Sequence, residues 1–479
     1  MVASGVGQAG EQGWSSRTAF VMAAVGAAVG LGNIWRFPTL AGENGGGAFV
    51  LVYVLCVLLI GLPLVLTEIL LGRAGRGYAD AAGSVGQVAE QSGVGRVWSV
   101  FGGIEILAGF LILSFYSVVA GWVLHFVWLS GADFFQSLFA GAPLAGAFVG
   151  QSQEQVSSLM GSLFESPWRM LALHAVFMIV TLAIVAVGVR NGIEKAASWL
   201  MPGFFVLLLL ITIYGAFTGE FSQAVAFLFT PDFSKLSPLV LNEALGQAFF
   251  SLSLGSAAMI TYGSYVPRDI RLAPTAGMIA AADTGVAILA GLMIFPIVFS
   301  AGLDPAAGPS LIFRSLPLAF QTMPAGSLIG MAFFVLIFFA ALTSSISLLE
   351  GPVEWVKRRF GLGRKTASVL VALAAFLIGG ACVLGYGAWS DVRMLGFWGI
   401  FADTDILDTI DGLTGKVMLP LSGLGLAIFV GWRADRRLVE AETGLSGAVF
   451  ALWRALIAWL APVAVGLILL FGLWPGLLG

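Results

Sequence analysis

Two stretches of the sequence place groups able to hold an ion among otherwise apolar residues. One reads Gly26-Ala-Ala-Val-Gly30-Leu-Gly32-Asn33-Ile-Trp-Arg36-Phe-Pro38; the other reads Phe250-Ser251-Leu-Ser253-Leu-Gly255-Ser256. Glycine costs a helix interior about 1 kcal/mol relative to alanine, so clustered glycines favour a break. A break frees carbonyl and N–H groups that a continuous helix would pair. Carbonyl, amide and hydroxyl oxygens are hard ligands suited to an alkali cation, and free N–H groups at a helix start suit a carboxylate. Thr343-Ser344-Ser345 adds three successive hydroxyls, and Glu68 and Asp283 add carboxylates inside apolar runs. Blander readings stand beside these. Gly26 and Gly30 also form a GxxxG packing face, and helical hydroxyls commonly bond back to the preceding turn. His125 and His174 are isolated, and Cys56 and Cys382 lie in apolar runs. No nucleophile–base pair, metal cluster or nucleotide motif is present, so the expected chemistry is binding rather than enzymatic catalysis.

The elements that must position these groups are membrane helices. The chain has 479 residues, 59% hydrophobic and only 10% charged, with a mean hydropathy of +0.97. A soluble domain carries about 25% charged residues. A soluble enzyme, a nucleic-acid binder and a disordered chain are therefore excluded. Apolar stretches long enough to cross about 30 Å of hydrocarbon fall at 18–40, 47–72, 97–129, 170–188, 196–217, 239–265, 276–303, 327–356, 366–388, 404–431 and 446–474. The sequence predicts an all-α polytopic membrane protein of eleven transmembrane helices in a lipid bilayer. Its parts are a cytoplasmic segment 1–17, a first five-helix repeat 18–217, a second 239–431, and an eleventh helix 446–474.

With the N-terminus cytoplasmic, sixteen Lys and Arg fall on the inner side, and only Arg169, Lys235, Arg314 and Arg393 on the outer. That agrees with the positive-inside rule and places the C-terminus outside. Short loops, high Ala and Gly content and the absence of Asn-x-Ser/Thr point to a bacterial inner (plasma) membrane. The two glycine-rich stretches sit in the first and sixth helices, at corresponding places in the two halves. Broken helices so placed are a pointer to a transporter binding site, because unpaired backbone survives in a membrane only where it lines a cavity. Asn33 and Arg36 strengthen that reading, since an intramembrane Arg costs about 2.5–3.5 kcal/mol.

The motifs Gly30-Leu-Gly-Asn-Ile-Trp-Arg-Phe-Pro38, Glu43-Asn-Gly-Gly-Gly-Ala-Phe49, Gln247-Ala-Phe-Phe-Ser-Leu-Ser-Leu-Gly255 and Leu342-Thr-Ser-Ser345 resemble those of the neurotransmitter:sodium symporter family, especially its bacterial amino-acid transporters. The resemblance covers about residues 11–432. It implies a leucine-transporter-like fold, a five-plus-five inverted repeat with helices 1 and 6 broken, and two Na+ sites. One would use the Ala28 carbonyl, Asn33, Ser251, Asp283 and the substrate carboxylate. The other would use carbonyls of Gly26, Val29 and Ala340 and hydroxyls of Thr343 and Ser344. The substrate carboxylate would meet the N–H groups of Leu31 and Gly32 and the Tyr116 hydroxyl. Carbonyls near Ala28 and Phe250 and the Ser253 hydroxyl would hold the amine. Ile112, Phe250, Ser256 and Leu348 would border the side chain, with Ser251 and Ser344 also in the substrate set. Arg36, Asp411 and Gln247 would form an outer gate above a Phe250–Tyr116 lid; Glu11, Trp14, Tyr265 and Arg358 would belong to an inner gate. Glu68 is given a structural role, and Pro202, ten residues after Gly192, would let the fifth helix unwind.

Several positions depart from the family's usual pattern. Gly30 stands where its monoamine transporters carry Asp, which favours an amino acid. Asp283 stands where many relatives have Asn. Its carboxylate would replace a chloride otherwise held by residues matching Tyr53, Gln247, Ser251 and Asp283, so that chloride is not required; a sodium-linked proton is the competing role. The inner-gate pair is reversed, with Glu11 opposite Lys357-Arg358-Arg359, and the family's twelfth helix has no counterpart. Small Ser256 and Ala257 leave room for a bulky apolar side chain, although Ser256 also offers a hydroxyl to a polar one. The expectation is a sodium-coupled symporter importing a neutral, bulky hydrophobic L-amino acid by alternating access. A sodium or solute channel and an amino-acid-sensing receptor are the alternatives.

Overall fold

The computed structural model describes residues 13–308 and 310–478. Among these the chain is built from helices without strands, as its apolar composition requires, since a helix satisfies its own backbone in lipid. Among the described residues nine helices are long and apolar enough to cross a membrane, or ten where a bent pair counts as one span. In chain order, the first span is that pair, Arg17–Ala28 and Gly32–Glu43, bent by 51°. The second is Gly47–Ala74, the third Arg96–Phe139, the fourth Pro167–Val187 and the fifth Val189–Thr218. Two short helices, Pro238–Ser251 and Ala258–Ser264, follow and are numbered together as the sixth span. Leu272–Ser300, Gly326–Phe360, Arg364–Gly385, Ile406–Arg433 and Gly447–Leu473 complete the order as seventh to eleventh.

Both breaks fall where the glycines predict them. The first span starts at a Ser16 cap, whose hydroxyl accepts the Ala19 N–H at 3.1 Å. It leaves helical geometry at Val29, with φ −71° and ψ 110°. In the sixth span, Ser253, Gly255 and Ala257 all take positive φ, at 54°, 76° and 66°. Two of these are not glycine, and such backbone is costly unless its surroundings hold it. Here they do: Gly255 N–H donates to Glu68 Oε1 at 2.9 Å, and the Ser253 hydroxyl donates to the Ala27 carbonyl at 2.8 Å. The two breaks are thus tied to each other and to the second span.

The long third and eighth spans pack along each other behind the breaks. The second span meets the latter half of the sixth at van der Waals limits: a Cβ on Gly72 would lie 1.9 Å from the Ile260 carbonyl oxygen. One feature differs from the sequence expectation. The third span extends to Phe139, and the following loop contains short helices at Gln153–Ser157 and Leu159–Phe164. In this conformation the fifth span is helical through Pro202, over Lys195–Thr218. A wide turn over Val189–Glu194, which includes Gly192, precedes it.

Candidate ion and substrate site

The first break faces the middle of the eighth span. Ser344 Oγ lies 3.4 Å from the Gly26 carbonyl oxygen, 3.5 Å from that of Ala27 and 3.2 Å from that of Val29. Beside it, Thr343 Oγ1 lies 3.1 Å from the Ala340 carbonyl oxygen. All five groups expected in one oxygen cage therefore sit at this junction. Ser345 turns away to Thr181, at 2.9 Å. The approach depends on glycine: a Cβ on Gly26 would meet Thr343 Cβ at 3.1 Å, and one on Gly30 would meet Ser344 Oγ at 2.5 Å. The GxxxG packing face and the oxygen cluster are one feature, because close packing is what brings the carbonyls to the hydroxyls.

Asn33, Ser251 and Asp283 meet on the other side of the break, all buried. Asn33 Nδ2 donates to Asp283 Oδ1 at 2.7 Å and to Ser251 Oγ at 3.0 Å. The Ser251 hydroxyl donates to Asp283 Oδ2 at 2.5 Å, and the Tyr53 hydroxyl lies 3.2 Å from Ser251 Oγ. One detail departs from expectation. Asn33 Oδ1 accepts the Gly30 N–H at 3.0 Å, so its oxygen answers a donor freed by the break. Among the described residues no group of three or more His, Cys, Asp or Glu side chains is arranged to hold a metal ion. The available ligands are carbonyls, hydroxyls and one carboxylate, which suit a hard cation.

Between the two clusters lies a small cavity of about 40 Å³, lined by Ala28, Gly30, Leu31, Gly32, Ile112, Tyr116, Phe250, Ser253, Ser256, Ser344, Leu348 and Leu419. Leu419 is the member that the sequence did not reveal. The Leu31 N–H donates to the Tyr116 hydroxyl at 3.4 Å. Ser253, expected to meet an amine, instead donates to the Ala27 carbonyl, because that carbonyl lost its helical partner. The Ser256 hydroxyl donates back to the Ser253 carbonyl at 2.6 Å. With that hydroxyl occupied, the side-chain end of the cavity is predominantly apolar.

A vestibule of about 760 Å³ adjoins this cavity, sharing Leu31, Gly32, Tyr116 and Phe250 with it. Arg36 and Asp411 both line it, but among the described residues they form no direct ion pair. The Arg36 guanidinium instead lies 4.6 Å from the centre of the Phe250 ring. Gln247 Nε2 donates to the Gly32 carbonyl at 2.8 Å. Arg314 and Asp408 also reach this vestibule, though the sequence reading did not select them.

The opposite side is packed shut. Trp14 is buried, and its Nε1–H donates to the Tyr262 carbonyl at 3.1 Å. Its ring stacks edge-on against Tyr262 and Tyr265. The Tyr265 hydroxyl donates to Glu350 Oε1 at 2.9 Å, and Glu350 pairs with Arg364 at 2.5 Å. Arg358 pairs with Asp80 at 2.6 Å and covers the Tyr78 ring, a partner that the sequence did not single out. Burial pushes the Asp80 carboxyl above its ordinary range, opposed by the Gly83 N–H and Arg358. Lys357 pairs with Glu354 at 2.7 Å. Glu11, expected opposite these cations, lies outside the described residues.

The comparisons with known proteins agree with this architecture. The pattern of the sodium:neurotransmitter symporter family matches residues 11–137 and 152–406. The uncharacterized sodium-dependent transporter YhdH of Bacillus subtilis is 37% identical over 95% of this chain and 96% of its own length. The sodium-dependent nutrient amino acid transporter 1 of Drosophila erecta is 26% identical over 81% of this chain and 68% of its own. Among solved structures, MhsT in complex with L-phenylalanine superposes with a TM-score of 0.84 at 40% identity, over 96% of this chain and 99% of that one. This chain has the same leucine-transporter-like fold, and it belongs to the sodium:neurotransmitter symporter family, as a sodium-dependent multi-pass membrane transporter and not an enzyme.

Proposed function

We propose that the protein couples two sodium ions to import of a neutral, bulky hydrophobic L-amino acid by alternating access. The observation that carries this is the junction of the broken helices. Two oxygen-rich clusters flank one small, largely apolar cavity, next to an open vestibule on one face and a packed barrier on the other. In this reading one sodium joins Gly26, Val29, Ala340, Thr343 and Ser344. The other joins Ala28, Asn33, Ser251, Asp283 and the substrate carboxylate, once Asn33 turns its oxygen from Gly30. The carboxylate sits on the Leu31 and Gly32 N–H groups and the Tyr116 hydroxyl, with Ile112, Phe250, Ser256 and Leu348 about the side chain. The Arg36 face is outside, the Trp14 face is cytoplasmic, and the membrane is the bacterial inner membrane.

The energetics suffice. A sodium ion gains about 2.3 kcal/mol per 100 mV of potential, and a tenfold gradient adds about 1.4 kcal/mol. Two ions supply about 7 kcal/mol per cycle. Sodium changes the conformational balance only through different affinities for the two states. Here it would do so by replacing the hydrogen bonds that now hold Ser344 and Asn33. A bulky side chain exceeds the present cavity, so Phe250 or the 252–257 segment must move as it binds. The names of the relatives, one a nutrient amino acid transporter and one solved with L-phenylalanine, support the substrate class. Asp283 supplies the negative charge that would otherwise fall to chloride, so transport is chloride-independent.

Equilibrium binding of labelled L-amino acids to the purified protein tests this reading. Leucine, methionine, phenylalanine or tryptophan should bind in sodium chloride and sodium gluconate alike, and not in potassium chloride. Binding of glycine or a charged amino acid in their place would refute the substrate class.

A further inference from the structure

The break in the sixth span carries a second polar feature that neither oxygen cluster uses. Glu68 on the second span and Glu105 on the third are 1% and 0% exposed. Glu68 Oε1 accepts the Gly255 N–H, and its Oε2 has no partner. Both oxygens of Glu105 lack a hydrogen-bond partner, and the third span lies against the same segment, where a Cβ on Gly109 would stand 2.5 Å from the Ser256 carbonyl oxygen. The two carboxyls lie close enough to interact electrostatically. Three orphaned carboxyl oxygens are thus buried beside the break, with the Gly255 N–H on the fourth.

No cation among the described residues answers them. On the eighth and ninth spans, Glu350 and Glu354 are paired with Arg364, and Lys357 with Glu354. Toward the loop between the second and third spans, Asp80 holds Arg358, and Arg96 holds Glu90. At the end of the second span, Arg73 holds Glu442, and Arg76 donates to the Val266 carbonyl. Arg454 on the eleventh span donates to the Gly431 and Ala434 carbonyls. Tyr265 serves Glu350, His174 on the fourth span meets Ser117, and Asp283 is held by Asn33 and Ser251. Tyr262, in the same half of the sixth span, brings no positive charge. The stretch Leu419–Ile428 of the tenth span, which packs on the second and third, has no ionisable side chain.

Two uncompensated carboxylates are a state that proteins avoid by neutralising one of them. A single proton resolves the arrangement: one carboxyl donates its O–H to the other, and the remaining negative charge faces the Gly255 N–H. We propose that Glu68 and Glu105 are a binding site for one proton, shared as a carboxyl–carboxylate pair at the break in the sixth span. The site is separate from both oxygen clusters and from Asp283. Because it ties the second and third spans to the unwound segment, losing the proton leaves two like charges that push these elements apart. The transporter thus carries a proton-sensitive clamp on the helix that must move during its cycle.

Infrared spectroscopy of the full-length protein in lipid nanodiscs tests this without reference to any substrate. The wild type should show a protonated-carboxyl C=O stretch at neutral pH that shifts in D2O and disappears on alkalisation. The double variant Glu68→Gln/Glu105→Gln should lack that band and Glu105→Gln should shift it, whereas Asp283→Asn should keep it. Should the glutamine variants fail to fold, Glu105→Asp retains the carboxyl on a shorter arm and should displace the band. A wild type without the band, a band that Glu105→Gln leaves intact, or one unmoved in Glu105→Asp overturns the proposal.

Discussion

At Gly30 there is no room for a side chain: an added Cβ would stand 2.5 Å from Ser344 Oγ and 3.2 Å from the Tyr116 hydroxyl. Gly30→Ala should therefore push apart two groups of the proposed site. Sodium-dependent binding should weaken at least tenfold while the protein remains folded, read by titrating sodium against labelled substrate. At Asp283 the expectation is a change of ion requirement. Asp283→Asn removes the charge but keeps a side chain that can hold Ser251, so uptake should become chloride-dependent; activity equal in chloride and gluconate would oppose the charge-replacement role. Ser256→Phe would fill the apolar end of the cavity and should shift selectivity toward glycine or alanine, measured by competition. Asn33, Ser251, Asp283 and Ser344 were legible because side chains with unusual chemistry mark themselves in an apolar sequence. The Ala27 carbonyl, which accepts from both Ser253 and Ser344, was not. A backbone acceptor leaves no trace in residue type, and Leu419 looks like any other lipid-span leucine.

Among the elements, the two breaks were legible from glycine and small-residue clustering, since little else explains such runs within a membrane helix. Whether the fifth span opens at Pro202 was not, because a proline marks only a missing donor, and opening depends on its neighbours and on the state of the cycle. The overlong third span was hidden by the mixed polarity of 130–139. The packing of the second span on the latter half of the sixth carries its own prediction. Gly72→Val would drive Cβ into the Ile260 carbonyl, 1.9 Å away. Overpacking of this kind typically costs about 1–3 kcal/mol, so the melting temperature should fall. The Trp14 plug carries another. Removing a buried Trp typically costs about 3–5 kcal/mol, and here it would loosen only the closed face. Trp14→Ala should raise thiol labelling of a cysteine placed at Tyr265 and weaken sodium binding; unchanged labelling would mean that Trp14 does not close this side.

For the whole molecule, composition and hydropathy were enough to establish a polytopic helical membrane protein, because 10% charged residues cannot cover a water-facing surface. Charge bias supplied the proposed orientation. The conformation, with Arg36 and Asp411 in no direct ion pair among the described residues beside a vestibule and Trp14 buried on the opposite side, was not legible, since one sequence must encode every state of the cycle. The central claim is that this architecture converts a sodium gradient into an amino-acid gradient, and accumulation in proteoliposomes tests it most directly. With sodium outside and potassium inside, a labelled bulky hydrophobic L-amino acid should accumulate above its external concentration, and replacing external sodium with potassium should abolish the effect. Equilibration without accumulation, or accumulation indifferent to sodium, would contradict the account.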